Sequence, residues 1–212
     1  MVEKTPLSVP EEAIWNYEFQ GLVQSYFQFR EFATVFMMNR DWLHDLAMAA
    51  KNEFSETFYG TLAQSGFGWR IIRPEDMTRL TTDAGVTHTS WLRTVAAAGW
   101  NDWIATAAAR NQLSRDAYIG LIGLGNLAPD PVSVAVHFAI EGVTDPPMEY
   151  EFAIRNGLKL WDLPQNHGIS PRRSFNFRVK DRTTGTDEPF FMGLAYCRAN
   201  YLGQETPHLE AP

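Results

Sequence analysis

The 212-residue sequence predicts an α+β fold in which N-terminal helices pack on a C-terminal antiparallel sheet. Three observations carry this. From Trp15 to Phe36, apolar residues recur at alternating steps of four and three, the spacing of an amphipathic helix. After Pro131 the pattern changes to short apolar runs separated by turn residues. Within residues 173–181, Phe175, Phe177 and Val179 alternate with Asn176, Arg178 and Lys180, as in a strand with one buried and one wet face. The chain reads as one domain: a helical portion over about 8–125, a sheet portion over about 131–200 and a flexible tail over 203–212.

The first helix opens at Ser8–Glu11, a capping-box pattern with Pro10 in the first turn, where its missing N–H costs nothing. Trp15, Phe19, Leu22, Tyr26, Phe29, Ala33 and Phe36 then form a heptad stripe, predicting about 30 residues of helix. The stripe fails at "NRD". A second helix follows, capped by Asn39 or Asp41, with Trp42, Leu46, Ala50 and Phe54 on one face and an end near Gly60. Residues 67–72 form a strand closed by Pro74. Residues 73–88 read as loop with a turn of helix. The Ala-rich runs 91–98 and 103–110 predict two short helices, the first ended by Gly99 and the second capped by Asn101 or Asp102.

Ser114 caps a further short helix. Gly120, Gly123 and Gly125 then stand in G-x-x-G-x-G order. That is neither the dinucleotide fingerprint nor a phosphate loop, so close backbone packing is the reading. Strands are predicted over 132–140, 148–154, 157–163, 173–181 and 190–199. The element order of helices, one strand, helices and then several strands resembles the cone of nuclear-transport-factor-like proteins. No motif accompanies this resemblance, and that fold hosts enzymes, binders and assembly subunits alike.

Composition narrows the function classes. The net charge of −7 opposes non-specific nucleic-acid binding, which needs clustered Lys and Arg. The N-terminus lacks the cationic and apolar regions of a signal peptide. No 18-residue window is apolar enough to span a membrane, so a cytoplasmic protein without a membrane span is expected. Cys197, the single cysteine, excludes an intrachain disulfide and is expected to be buried and inert.

The stretch "NRDWLHDL" is the most chemistry-like. A metal-dependent phosphohydrolase of the HD type needs a His before His44, and none exists. The zinc helix H-E-x-x-H is absent. Asp41-x-x-His44 is one half of a di-iron set, and the other such unit, Glu205 to His208, lies in the tail. The stretch therefore reads as a helix start with Asp41 and Asp45 near its N-terminus. His44, Asp45 and His137 stand as catalytic candidates in the acid/base sense. His88 and His167 fall in polar segments. Arg172, Arg173, Arg178 and Lys180 form a basic group that could bind an anion, with a solvated strand face as the default reading. No three ligands have metal spacing, so no metal and no cofactor are expected.

Two functions follow as expectations. The first is a non-catalytic interaction or assembly subunit that meets a protein partner or a second copy through Trp15, Phe19, Leu22, Tyr26, Phe29 and Phe36. Seven Trp and this aromatic helix motivate it. The alternative is a small-molecule-binding protein or enzyme with an aromatic-lined pocket and a His acid/base.

Overall fold

The computed structural model describes residues 4–26, 29–77, 90–106, 110–151, 160–202 and 209–210. The helical layer comprises α1 (Val9–Ser25), α2 (Arg30–Met38) and α3 (Arg40–Phe54), with the short α4 (Pro74–Met77) and α5 (Ala199–Leu202) elsewhere. At the start of α1, Glu11 accepts from the Ser8 N–H at 2.7 Å and its hydroxyl at 2.5 Å. Glu11 is itself buried. It also accepts from Lys51 Nζ at 2.6 Å and the Phe58 N–H at 2.8 Å, which ties α1 to α3 and to the chain entering the sheet.

The predicted 30-residue helix is two helices. The rings of Tyr26 and Phe36 lie 6.1 Å apart, and those of Phe19 and Phe36 6.4 Å. Ten residues along one straight helix span about 15 Å, so the chain turns back between them. Two amphipathic helices kept in phase read like one. Phe29, at the corner, precedes α2 as its N-cap and is 61% exposed, not buried as the stripe predicts. α3 ends at Phe54, with Ser55 in the left-handed conformation at φ 53°, before the expected Gly60.

The strands are β1 (Phe67–Ile71), β2 (Arg93–Val95), β3 (Gly99–Ile104), β4 (Asn111–Leu113), β5 (Ala117–Asn126), β6 (Ser133–Ile140), β7 (Val143–Thr144), β8 (Met148–Glu149), β9 (Leu160–Ile169), β10 (Ser174–Asp181), β11 (Gly185–Asp187), β12 (Pro189–Arg198) and β13 (Leu209–Glu210). They form a four-stranded sheet in the order β1-β12-β5-β9. A seven-stranded sheet runs β13-β4-β10-β6-β7, with β3 beside β10 and β8 beside β6. β2 and β11 pair separately.

Several predicted helices are therefore strands. Arg93–Val95 of the first Ala-rich run is β2, and Trp103 and Ile104 of the second end β3, while residues 107–109 lie outside the described residues. Helix propensity is a weak prior that tertiary pairing overrides. Arg93 in β2 points inward and makes a two-pronged pair with Asp181 of β10, at 2.9 and 3.0 Å. The segment after Ser114 is β5, buried along its whole length. The helical portion thus gives way to strands at Phe67 rather than near residue 125. Within the expected tail, Leu209 and Glu210 pair with β4.

The layers follow from side-chain direction. Along β12, Phe190, Met192, Leu194 and Tyr196 join Trp15, Phe19, Phe36, Leu43 and Leu46 in a core beneath the helices. Phe191, Ala195 and Cys197 face the other way, into a second core with Phe138, Phe175, Phe177 and Val179. The four-stranded sheet is the middle of three layers, between helices and the seven-stranded sheet. This arrangement bears out the α+β fold of N-terminal helices on an antiparallel sheet without confirming a nuclear-transport-factor-like cone. Close packing does hold at Gly120 and Gly123: a Cβ on Gly120 would lie 2.3 Å from Leu46 Cδ1 and 3.0 Å from the Trp42 ring, and one on Gly123 3.3 Å from Val35 Cγ1. Among the described residues no helix is long and apolar enough to cross a membrane.

Candidate functional site

The middle sheet has two edges, and each carries a concavity. At the β1 edge, an open groove of about 620 Å³ runs between β1 and the C-terminal half of α1. Leu22, Tyr26, Trp69 and Ile71 give it an apolar lining, with Glu18 and Arg73 among the charged residues beside them. Antiparallel pairing aims alternate backbone groups of β1 to opposite sides. Those of Phe67 point away from β12: its N–H donates to Thr57 O at 3.0 Å and its C=O accepts from the Tyr59 N–H at 2.9 Å. Trp69 and Ile71 share that parity, so their N–H and C=O groups face the groove. No backbone partner takes them up on that side among the described residues.

The groove's polar groups serve the fold. Glu18 accepts from the Thr61 N–H at 2.7 Å and hydroxyl at 3.0 Å, and the Ser25 hydroxyl donates to Leu22 O at 2.7 Å. Arg70 reaches the buried Asp76 at 2.6 Å. Burial pushes the Asp76 carboxyl up, against the opposing pull of Arg70. The Ser25 and Thr61 hydroxyls are thus engaged within the fold, and no His is among the described lining residues.

At the opposite edge, β9 departs from regular pairing. Leu121 faces His167, but Gly123 faces Asp162, so residues 163–166 bulge opposite Ile122 alone. Pro164, which has no N–H to donate, sits in the bulge. Asn166 Nδ2 donates to Asn39 Oδ1 at 2.7 Å, and Asn39 Nδ2 donates to Asp162 Oδ1 at 2.8 Å. Asn39, buried between α2 and α3, thereby braces both ends of the bulge. His167 emerges at the seam between the two large sheets. Its ring stacks on Phe138 at 4.3 Å between centroids, and its Nδ1 lies 3.3 Å from Asp145 Oδ2. Burial lowers the pKa of His167 and Asp145 opposes that shift. A pocket of about 210 Å³ opens here, lined by Phe138, Asp145, Met148, Gln165, His167 and three prolines.

The structure disperses the sequence-predicted residues. Trp15, Phe19 and Phe36 are buried in the chain's own core, while Leu22 and Tyr26 are half-buried at the groove and Phe29 is exposed. His44 Nε2 meets Glu12 of α1 at 2.7 Å, and its ring abuts Trp15 edge-on. Asp45 pairs with Lys4 instead, and Asp41 with Arg40. His137 lies on the outer face of the seven-stranded sheet beside Trp100, because Val136 and Phe138 take the inward positions. Arg173 pairs with Glu141, and Arg178 lies 3.3 Å from Asp102. Arg172 sits in the β9–β10 turn and Lys180 is exposed on β10, so the basic group is spread along a strand. His88 and the Glu205–His208 unit lie outside the described residues. Among the described residues no three His, Cys, Asp or Glu cluster as metal ligands.

The pair that sequence reasoning missed is Asp145 with His167. Its only trace is two Pro-containing turn strings, "TDPP" and "LPQNHG", each carrying one partner.

No protein-family model matches the chain, and no curated protein sequence does. Among solved structures, a family 35 carbohydrate binding module from an environmental isolate aligns at 7% identity over 56% of this chain and 80% of that one, with a TM-score of 0.24. A likeness of that degree carries no argument about this chain.

Proposed function

We propose that the chain is a non-catalytic interaction or assembly subunit that receives an extended segment of a protein partner along the edge of β1. The observation that supports this is the groove, where outward-facing backbone groups of Trp69 and Ile71 adjoin an apolar lining from Leu22 and Tyr26. An incoming strand gains main-chain hydrogen bonds from such an edge and specificity from alternate side chains. Each large apolar side chain it buries adds about 1.5–3 kcal/mol.

Mass measurement from micromolar to millimolar concentration, with capture from native extract, tests the reading. The expected result is an association that slows hydrogen exchange at the Trp69 and Ile71 amides and weakens on Leu22→Asp. A strict monomer with no recovered partner would count decisively against it.

A further inference from the structure

We propose that the pocket at the β9 edge is a binding site for a small neutral or cationic molecule that presents an N–H or O–H to Nε2 of His167. It is separate from the β1 groove, on the opposite edge of the middle sheet, and needs no protein partner.

The geometry fixes the acceptor. Asp145 Oδ2 lies 3.3 Å from Nδ1, and a carboxylate there favours the proton on that nitrogen, which makes Nε2 the acceptor. Nothing among the described residues takes up that lone pair. The stack on Phe138 prevents the ring from swinging away. Asp145 is fixed in turn, since its own N–H donates to Phe138 O at 3.1 Å. The bulge that delivers His167 is pinned at both ends through Asn39. An acceptor held by packing and by outer hydrogen bonds is the arrangement of a preorganised site, and bulges recur beside such sites.

The lining selects the ligand. Pro146, Pro147, Pro164 and Met148 give apolar walls that suit a ring or short hydrocarbon. Asp145 is the only charged side chain among the described lining residues, so a carboxylate or phosphate is repelled and an amine tolerated. A volume of about 210 Å³ falls below the range of about 300–1,000 Å³ of drug-sized sites, which restricts the occupant to a single-ring fragment. No hydroxyl, thiol or amine nucleophile lines the pocket among the described residues, so the proposal is binding, without a covalent step.

Benzylamine, benzyl alcohol and benzoate, matched in ring and size, serve as probes. Each is titrated into the intact protein while the His167 ring nitrogens are followed by NMR. Benzylamine and benzyl alcohol are expected to shift the Nε2 resonance saturably, with Kd of about 1 mM for fragments this small. Benzoate is expected to bind at least about tenfold more weakly, one such factor being a small change in interaction energy. Asp145→Asn should narrow the gap between benzylamine and benzoate, and His167→Phe should abolish the response to all three. The titration of the unmodified chain decides the matter even if a variant fails to fold. An Nε2 resonance unmoved by 10-fold more amine and alcohol than that Kd (about 10 mM), or benzoate binding as well as benzylamine, overturns the proposal.

Discussion

Glu11 shows how far one side chain reaches. Burial alone would raise its carboxyl, but hydrogen bonds from Lys51, the Ser8 hydroxyl and the Phe58 and Ser8 amides outweigh burial and hold the pKa near about 2, against 4.5 ordinarily. A carboxyl depressed this way contributes stability that is complete above its unfolded value. That stability fades as pH falls through the window from 4.5 toward about 2. The shift corresponds to about 3 kcal/mol. Glu11→Gln should therefore lower unfolding free energy by about 2–4 kcal/mol at pH 7. The deficit should shrink steadily in urea titrations taken at pH 4 and pH 3, and one that stayed constant with pH would sink this account. The capping box itself was legible as S-x-x-E. The burial of its Glu was not, because Lys51 and Phe58 approach only when α3 and β1 are in place.

At the scale of elements, the helical corner is the sharpest test. Phe36 is 1% exposed and touches both Phe19 and Tyr26, whereas Phe29 is 61% exposed at the turn. Phe36→Ala should destabilise by about 3–5 kcal/mol. Phe29→Ala should stay within about 1 kcal/mol, as surface changes do. Equal losses in chemical denaturation would mean that one continuous helix, not two, describes the chain. Periodicity located the apolar face but not the break, since phase is preserved across it. The same limit explains β2 and β3. "RTV" and "GWNDWI" are too short for a period to declare itself, and Ala beside them argues for helix. What makes them strands is pairing with β11 and β10, which lie more than 70 residues onward. β10 itself, alternating from Phe175 to Asp181, was legible as a strand with Phe175, Phe177 and Val179 buried, although Asn176 on the expected wet face is buried too.

At the scale of the whole molecule, the middle sheet belongs to two cores at once. Neighbouring residues of β12 divide between them: the Tyr196 hydroxyl donates to Leu43 O in α3 at 2.6 Å, while Cys197 faces the second sheet. A strand covered on both sides reads as a continuous apolar run. "FFMGLAYC" carries that signal, but it does not say which layer covers which face, so two sheets could not be told from one. The sharing implies that the layers unfold together. Burial first, and the nearby carboxylates of Asp76 and Asp116, push the Cys197 thiol well above its usual range. Thiol labelling along a urea series should therefore rise with the same midpoint as the loss of helical circular dichroism. Labelling that ran ahead of the helices would show the second sheet peeling away as a separate unit.

The two edges of the middle sheet also differ in what they permit. A strand approaching β9 meets the 163–166 bulge and the proline within it, and finds no unbroken ladder to extend. A strand approaching β1 meets the outward N–H and C=O groups of Trp69 and Ile71, those of Phe67 being already paired with Thr57 and Tyr59. On the proposed function, strand addition on this sheet would therefore have a valency of one. If the incoming strand belongs to another protein, the complex is one to one at this site. If it is β1 of a second copy, the two molecules meet about a twofold axis, each saturates the other, and growth ends at the pair. A sheet with two open edges would propagate as a fibre; with β9 kinked, association of this kind through β1 would be self-terminating.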